Sequence, residues 1–230
     1  MQPTIKDLFD KIQNAEVQTE PFDHLVVDNL LPDDFFKELA KELEATDFPS
    51  NYARGPYGNK ERFGVDLTDY SAWKTSGKNI PTKIHEGNYK SLSSGRSANV
   101  QFFVDLLLEN EKGFYSLLGS KLSTERFQDN YFFHVNMTKD SVGYTIEAHT
   151  DDKENIFTIL FYTPETDVNK EFGLHVCKEK IDFMPNRMII FAPSKPHSER
   201  APTWHEVRRL SDKLIGTRNS FQMFFLRNNS

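Results

Sequence analysis

The chain has 230 residues, 27% of them charged, and a formal net charge of −6 at pH 7. This length allows one sizeable domain or two small ones, and the charge gives no electrostatic footprint for nucleic acid. No apolar run is long enough to span a bilayer, the amino end lacks a signal-peptide pattern, and the single cysteine, Cys177, excludes an internal disulfide. We therefore expect a cytoplasmic protein that binds neither membrane nor nucleic acid.

The first part of the chain, residues 1–125, is predicted to be helical support around one strand. Apolar residues recur at helical spacing in residues 3–16, which predicts an amphipathic helix. A strand over residues 22–27 precedes a second helix that begins at Pro32, because proline and acidic residues suit the first turn of a helix. Helical spacing returns over residues 98–118, which predicts helical structure there.

Residues 51–96 differ in composition, with many Gly, Ser, Tyr, Lys and Arg residues and little periodicity. A long segment of this kind in a compact protein is usually a functional or a mobile loop. Several of its side chains would suit a lid or a loop that grips a substrate: Tyr52, Arg54, Tyr57, Arg62 and Tyr89. The sequence does not decide between a lid and a loop that grips a substrate.

Residues 126–230 are predicted to form short strands in succession. Pro and Gly separate runs that are rich in aromatic and β-branched residues: FQDNYFFHVNM, GYTIEAHTD, NIFTILFYT, FGLHVC, RMIIFAP and RNSFQMFFL. Short strands after a helical half favour a β-sandwich or barrel that helices support. We predict one α+β domain over residues 1–230, with its β core in residues 126–230.

The segment EAHTDD, residues 147–152, places a histidine and a carboxylate two residues apart. On a strand, His149 and Asp151 would point the same way. Two imidazoles and one carboxylate at an open site suit non-haem Fe(II) and leave positions for a cosubstrate and oxygen. The third ligand should be a histidine of a later strand: His175, His197 or His205.

The second half of the chain resembles the iron- and 2-oxoglutarate-dependent oxygenase superfamily, in particular its prolyl-hydroxylase-like branch. The resemblance rests on segments in a fixed order: HTD, FTILFYTPE, a glycine before LHVC, PNRMIIF, TWHEV and TRNSFQMFF. It implies a double-stranded β-helix, a jelly-roll barrel, with amino-terminal helices beside it. It also implies an enzyme that uses Fe(II), 2-oxoglutarate and O2 to hydroxylate a C–H bond, with succinate and CO2 as co-products.

The resemblance favours His205 as the third ligand, because TWHEV has an aromatic residue before the histidine and a valine two residues after it. His197, in SKPHSE, lies nearer the end of RMIIF but lacks that valine and leaves a longer span to Arg218. A different interpretation keeps His197 open: residues 203–206 spell a capping box, and apolar residues follow at near-helical spacing. A helix there would leave His205 in its first turn, away from the metal.

Arg218, on the last predicted strand, is the residue that the resemblance assigns to the cosubstrate. A guanidinium binds a carboxylate through two parallel hydrogen bonds, which suits the distal carboxylate of 2-oxoglutarate. Ser220 follows on the same predicted strand face. The resemblance adds Tyr162, with Thr158 on the same face of its strand. An edge-strand arginine that keeps a sheet soluble is the alternative explanation of Arg218.

The substrate stays open between a peptide side chain and a small molecule, and the oligomeric state stays open as well. Two other functions compete with the oxygenase. A cupin-like metal protein on a similar barrel would not use 2-oxoglutarate and would not need Arg218. A non-catalytic binding module would fold without metal and present residues 51–96 to a partner, with EAHTDD as a polar turn between two strands.

Overall fold

The computed structural model describes residues 1–46, 61–68, 98–124, 130–152, 154–193 and 203–227. The α-helices of this described part are α1 (Ile5–Asn14), α2 (Asp33–Ala45), α3 (Ala98–Glu109) and α4 (Glu111–Lys121), and residues Lys170–Phe172 form a short 3-10 helix. Its strands are β1 (His24–Val27), β2 (Arg62–Asp66), β3 (Tyr131–Asp140), β4 (Ile146–His149), β5 (Asn155–Tyr162), β6 (Leu174–Val176), β7 (Glu179–Ile181), β8 (Arg187–Phe191), β9 (His205–Val207) and β10 (Arg218–Arg227). Within these ranges, every helix is too short or too polar to cross a membrane.

The helices follow the predicted pattern. A capping box between Thr4 and Asp7 starts α1. Pro32 occupies the N-cap of α2, so this helix begins at Asp33, one residue after the predicted start. The helical structure predicted over residues 98–118 is confirmed, and it is divided into α3 and α4 by a break at Asn110. The Asn110 side chain donates to the Leu106 carbonyl at 2.9 Å, and such local bonds compete with the backbone bonds of a continuous helix.

Two antiparallel sheets form the core of the fold. The larger sheet has the strand order β1-β8-β5-β10-β3-β2, and the smaller sheet has the order β4-β9-β6-β7. From β3 to β10 the chain passes back and forth between the two sheets, which is the topology of a double-stranded β-helix. The α+β class and the double-stranded β-helix predicted from the sequence are confirmed.

Two strands of these sheets were not predicted. β2 lies inside residues 51–96, where the sequence shows no strand pattern, and it joins the larger sheet by pairing with β3. β7 is a polar three-residue strand that pairs with β6. Both strands form through pairing with a neighbour, so their own sequences carry little signal. The remainder of the predicted loop, residues 51–60 and 69–96, lies outside the described residues.

Phenylalanine side chains fix the helices to the outer face of the larger sheet. Phe103 of α3 packs against Phe161 and Phe221, with ring centroids 5.4 and 5.2 Å apart. Phe114 of α4 packs against Phe225 at 5.8 Å. Full burial of each such side chain stabilises the fold by about 1.5–3 kcal/mol. The inner face of this sheet carries polar side chains together with a second buried cluster that includes Leu160, Ile189 and Phe191.

Gly173, just before β6, leaves no room for a side chain. A Cβ added there would lie 1.9 Å from the carbonyl oxygen of Ile181, a backbone atom of β7. Leu174 and Ile181 are paired, so the strands cannot separate without losing this pairing. We expect Gly173→Ala to lower the free energy of unfolding by about 1–3 kcal/mol in urea titrations.

Gly113→Ala is the matched control for that change. Its Cβ would meet only the ring of Phe9, at 3.0 Å, and alanine gains about 1 kcal/mol of helix propensity over glycine. We therefore expect Gly113→Ala to be close to neutral. Equal losses in the two variants would contradict the clash at Ile181.

Candidate metal centre

His149, Asp151 and His205 come together where β4 and β9 pair. His149 ends β4 and lies opposite His205, the first residue of β9. Their ring centroids are 4.3 Å apart. The Nε2 atoms of His149 and His205 lie 3.8 and 3.5 Å from Asp151 Oδ1. One ligand atom from each side chain therefore lies within 4.8 Å of the other two, a spacing that one metal ion can span.

Backbone carbonyls orient both imidazoles. His149 Nδ1 lies 2.8 Å from the Glu147 carbonyl oxygen, and His205 Nδ1 lies 3.0 Å from that of Thr203. Because a carbonyl can only accept, Nδ1 of each ring carries the proton and donates. In the neutral ring Nε2 then keeps its lone pair, which is the atom and the state that bind a metal.

Thr158, on β5, holds the third side chain of the group. Its hydroxyl donates to Asp151 Oδ2, while Oδ1 faces the two histidines. Burial opposes the charged form of Asp151, but His205 and the Thr158 hydroxyl outweigh burial and lower the pKa of this carboxyl to about 2. The carboxylate is therefore ionised at neutral pH.

The two imidazoles differ in their electrostatic surroundings. Burial and the neighbouring His205 lower the pKa of His149, which favours its neutral form. Burial opposes protonation of His205 as well, but the charge of Asp151 raises the pKa of this ring. A cation between the three side chains would compete with a proton for the Nε2 atom of His205.

A cavity of about 200 Å³ is lined by these three side chains and also by Arg218 and Arg62. Arg218 is the first residue of β10 and is 1% exposed. β10 lies inside the larger sheet between β5 and β3, so the edge-strand explanation of Arg218 is wrong. A ligand in this cavity can contact the histidines and a guanidinium at once.

Three partners fix the guanidinium of Arg218. Its Nε donates to the Phe172 carbonyl at 2.9 Å, Nη1 donates to Asp140 Oδ2 at 2.8 Å, and Nη2 donates to the Tyr162 hydroxyl at 3.4 Å. Tyr162 is buried against Phe183, with ring centroids 4.8 Å apart. The side chain is thus held in place before any ligand binds.

Asp140 is a functional candidate that the sequence analysis missed. It ends β3 and lies opposite both Arg218 of β10 and Arg62 of β2. Arg62 binds it through two hydrogen bonds, from Nε at 2.6 Å and from Nη2 at 3.0 Å. Strand register creates this cluster, and no spacing in the sequence displays it. The hint that the sequence does contain is an acid at the end of the strand segment YFFHVNMTKD.

The other predicted cosubstrate residues have partners within the protein. Thr158 donates to Asp151, and the Ser220 and Thr138 hydroxyl oxygens lie 3.1 Å apart. Tyr162 accepts from Arg218. Their contacts with a cosubstrate stay predictions.

The structure also places two of the three candidate histidines. Residues 205–207 form β9, so the alternative of a capped helix is wrong, because pairing with β4 and β6 outweighs the local capping pattern. His175 pairs with Glu206, whereas His205 pairs with Val176. Since neighbouring residues of a strand alternate faces, His175 lies on the opposite face of the sheet from His205.

His197, the other candidate for the third ligand, lies outside the described residues.

Thr158→Val should weaken metal binding by about 10- to 100-fold, because the Asp151 carboxylate loses the donor that orients it. The measurement is calorimetric titration of the metal-free protein with Fe(II) in the absence of oxygen. Thr138→Val is the matched control: Thr138 is also buried, but it contacts Ser220. Equal affinity in the parent and Thr158→Val would contradict the orienting role.

Comparisons with known proteins bear on the fold. No protein-family model and no curated protein sequence matches the chain. The structure of JOX2 in complex with 2OG, Fe and JA is similar with a TM-score of 0.51 and 11% sequence identity, over 90% of this chain and 68% of that chain. A Pseudomonas putida prolyl-4-hydroxylase has a TM-score of 0.49 and 13% identity, over 96% of this chain and 98% of that chain. HygX from Streptomyces hygroscopicus, with nickel and 2-oxoglutarate bound, has a TM-score of 0.49 and 10% identity, over 99% of this chain and 88% of that chain.

The likeness to JOX2 is one of overall structure, with a TM-score just above 0.5. At 11% identity it extends to the fold and not to the substrate. The chain therefore has the double-stranded β-helix fold of the iron(II)- and 2-oxoglutarate-dependent oxygenases, the superfamily that its sequence resembles.

Proposed function

We propose that this chain is an Fe(II)- and 2-oxoglutarate-dependent dioxygenase that hydroxylates a C–H bond. One observation carries the proposal: a single cavity is lined by His149, Asp151 and His205 and by the buried guanidinium of Arg218. A dicarboxylate of suitable length would reach a metal at one end and an arginine at the other. The fold of the chain supports the same conclusion.

The donor set fits Fe(II). Two neutral imidazoles and one ionised carboxylate supply three ligands and leave further coordination positions open. Zn²⁺ also binds such donors, and a zinc hydrolase would use them with a bound water. Arg218 favours the oxygenase, because a buried cation in the same cavity suits a carboxylate ligand.

The chain's own residues would bind the metal, orient the cosubstrate and exclude water from the cavity. His149, Asp151 and His205 would hold the metal, and Arg218 would orient 2-oxoglutarate through its distal carboxylate. Apolar side chains complete the cavity wall and keep water away from the reacting groups: Ile146, Leu160, Leu174 and Val207. Bound iron with 2-oxoglutarate would supply the activation of O2, with succinate and CO2 as co-products.

A second cavity, next to the first, is the proposed binding site of the substrate. It has a volume of about 280 Å³ and shares His149 and Asp151 with the first cavity. His134, Asn136 and Asn155 also line it, so a polar group can form hydrogen bonds there. The substrate of this proposal is either a peptide side chain or a small molecule. The proposal also includes a cytoplasmic location, with neither nucleic acid nor membrane as a partner.

Metal content and turnover of 2-oxoglutarate test the proposal. We expect the purified protein to bind one Fe(II) and to convert 2-oxoglutarate slowly to succinate in the presence of O2 without added substrate. A cupin-like protein would bind metal and leave 2-oxoglutarate unchanged. A binding module would take up no stoichiometric metal. Either of the last two results would overturn the oxygenase.

A further inference from the structure

We propose that Arg62 and Asp140 make the cavity select a cosubstrate with a distal carboxylate, because Arg62 offsets the negative charge of Asp140 beside Arg218. This inference rests on the proposed function. It assigns a positioning role to two residues outside the His149, Asp151 and His205 group. Arg62 acts through Asp140, which lies between the two arginines.

The geometry gives one carboxylate two guanidinium partners. Asp140 is 0% exposed, and its Oδ2 accepts from both Arg62 Nη2 at 3.0 Å and Arg218 Nη1 at 2.8 Å. The Arg62 guanidinium also lies over the Tyr144 ring, 4.2 Å from the ring centroid. Arg62 and Arg218 both line the cavity that contains the metal-binding side chains. The three charged groups therefore form one buried cluster at this cavity.

The charge of the cluster depends on Arg62. Arg218 with Asp140 alone would be a neutral pair, and the Asp140 carboxylate would repel a second carboxylate brought beside it. Arg62 adds one positive charge and compensates Asp140, so Arg218 keeps its attraction for an anion. The completed cluster matches one carboxylate, because binding one makes the group neutral.

Asp140 also holds the guanidinium of Arg218 in a fixed orientation. Nε donates to the Phe172 carbonyl, Nη1 to Asp140 and Nη2 to the Tyr162 hydroxyl, so each of the three nitrogens is anchored to the protein. A pre-organised guanidinium loses little freedom when it binds a ligand. Asp140 thus orients the Arg218 guanidinium, and Arg62 offsets the repulsion between Asp140 and a bound carboxylate.

Two ligands that differ only in the distal carboxylate distinguish selection for that carboxylate from binding of any 2-oxo acid. 2-Oxoglutarate and 2-oxopentanoate have the same chain length, but the second lacks the distal carboxylate. Their dissociation constants would be measured by calorimetry on the Fe(II)-loaded protein without oxygen. We expect the parent to prefer 2-oxoglutarate and Arg62→Met to lose about 10- to 100-fold of that preference, with unchanged affinity for 2-oxopentanoate and for Fe(II).

Charge restoration is the decisive control. The double variant Arg62→Met/Asp140→Asn leaves Arg218 with a net charge of plus one, and we expect the preference to return to within about threefold of the parent. Arg62→Lys, which keeps the charge, should also retain the preference. Arg62→Gln provides a second neutral variant if Arg62→Met does not fold, as judged by its thermal unfolding.

An unchanged preference in the neutral Arg62 variants would overturn the inference, and so would a double variant that stays as weak as the single one. A purely structural cluster would change the unfolding temperature and leave the preference intact. If the parent itself did not prefer 2-oxoglutarate over 2-oxopentanoate, the proposed function would fail together with this inference. If the parent prefers 2-oxoglutarate and the neutral Arg62 variant prefers it equally, the inference about Arg62 and Asp140 fails while the proposed function stands.

Discussion

Asp151→Asn should abolish tight Fe(II) binding and leave the protein folded. The asparagine has the same shape and still accepts the Thr158 hydroxyl bond, but it lacks the charge that faces His149 and His205. Four-ligand zinc sites bind with apparent free energies of about 10–16 kcal/mol, so loss of one ligand costs on the order of 3 kcal/mol, or roughly 100-fold in affinity. Competition titration with a chelator in the absence of oxygen measures this loss.

Asp152→Asn is the matched control for Asp151→Asn. The two acids are neighbours, but Asp152 is not among the three side chains that converge. Its replacement should leave Fe(II) affinity unchanged. If Asp152→Asn lost the metal and Asp151→Asn kept it, the site would be built differently from the one described above.

Arg218→Met should remove the affinity for 2-oxoglutarate and leave the affinity for Fe(II) intact. Truncation of one partner of a buried, hydrogen-bonded charge pair costs about 2–5 kcal/mol, on the order of 30- to 5,000-fold. Asp140 keeps its two hydrogen bonds from Arg62, so we expect the variant to fold. Calorimetric titration of 2-oxoglutarate into the Fe(II)-loaded variant checks the prediction.

Arg187→Met controls for loss of an arginine from the same sheet. Arg187, on β8, also binds an acid through two hydrogen bonds, but its partner Asp28 is half exposed. We expect this change to leave 2-oxoglutarate binding as it is in the parent. Parent-like binding in Arg218→Met would instead favour the cupin-like metal protein, which has no need of this arginine.

The HTD segment and the order of strands could be predicted from the sequence because they depend on local patterns. Runs of aromatic and β-branched residues between Pro and Gly identified the strands that carry His149 and Arg218, and the family resemblance identified their order. The same patterns do not show the break at Asn110 between α3 and α4. They also missed β2 and β7, which form only because a neighbouring strand pairs with them.

The charged cluster at Arg218 could not be predicted, because it depends on register. Asp140 meets Arg218 and Arg62 only when β10, β3 and β2 align as they do. A shift of one residue would turn each of these side chains to the other face of the sheet. For the same reason, the sequence could not decide between a strand and a helix around His205. Pairing with two strands decides it.

The measurement that tests the metal centre most directly is an anaerobic titration of the metal-free protein with Fe(II) and then 2-oxoglutarate. Chelation of 2-oxoglutarate to non-haem iron gives a visible charge-transfer band, so the band reports the metal and the cosubstrate together. We predict the band in the parent and in His197→Ala, and its loss in His205→Ala. A band that survives His205→Ala and disappears in His197→Ala would contradict the assignment of His205, and no band in the parent would contradict the oxygenase itself.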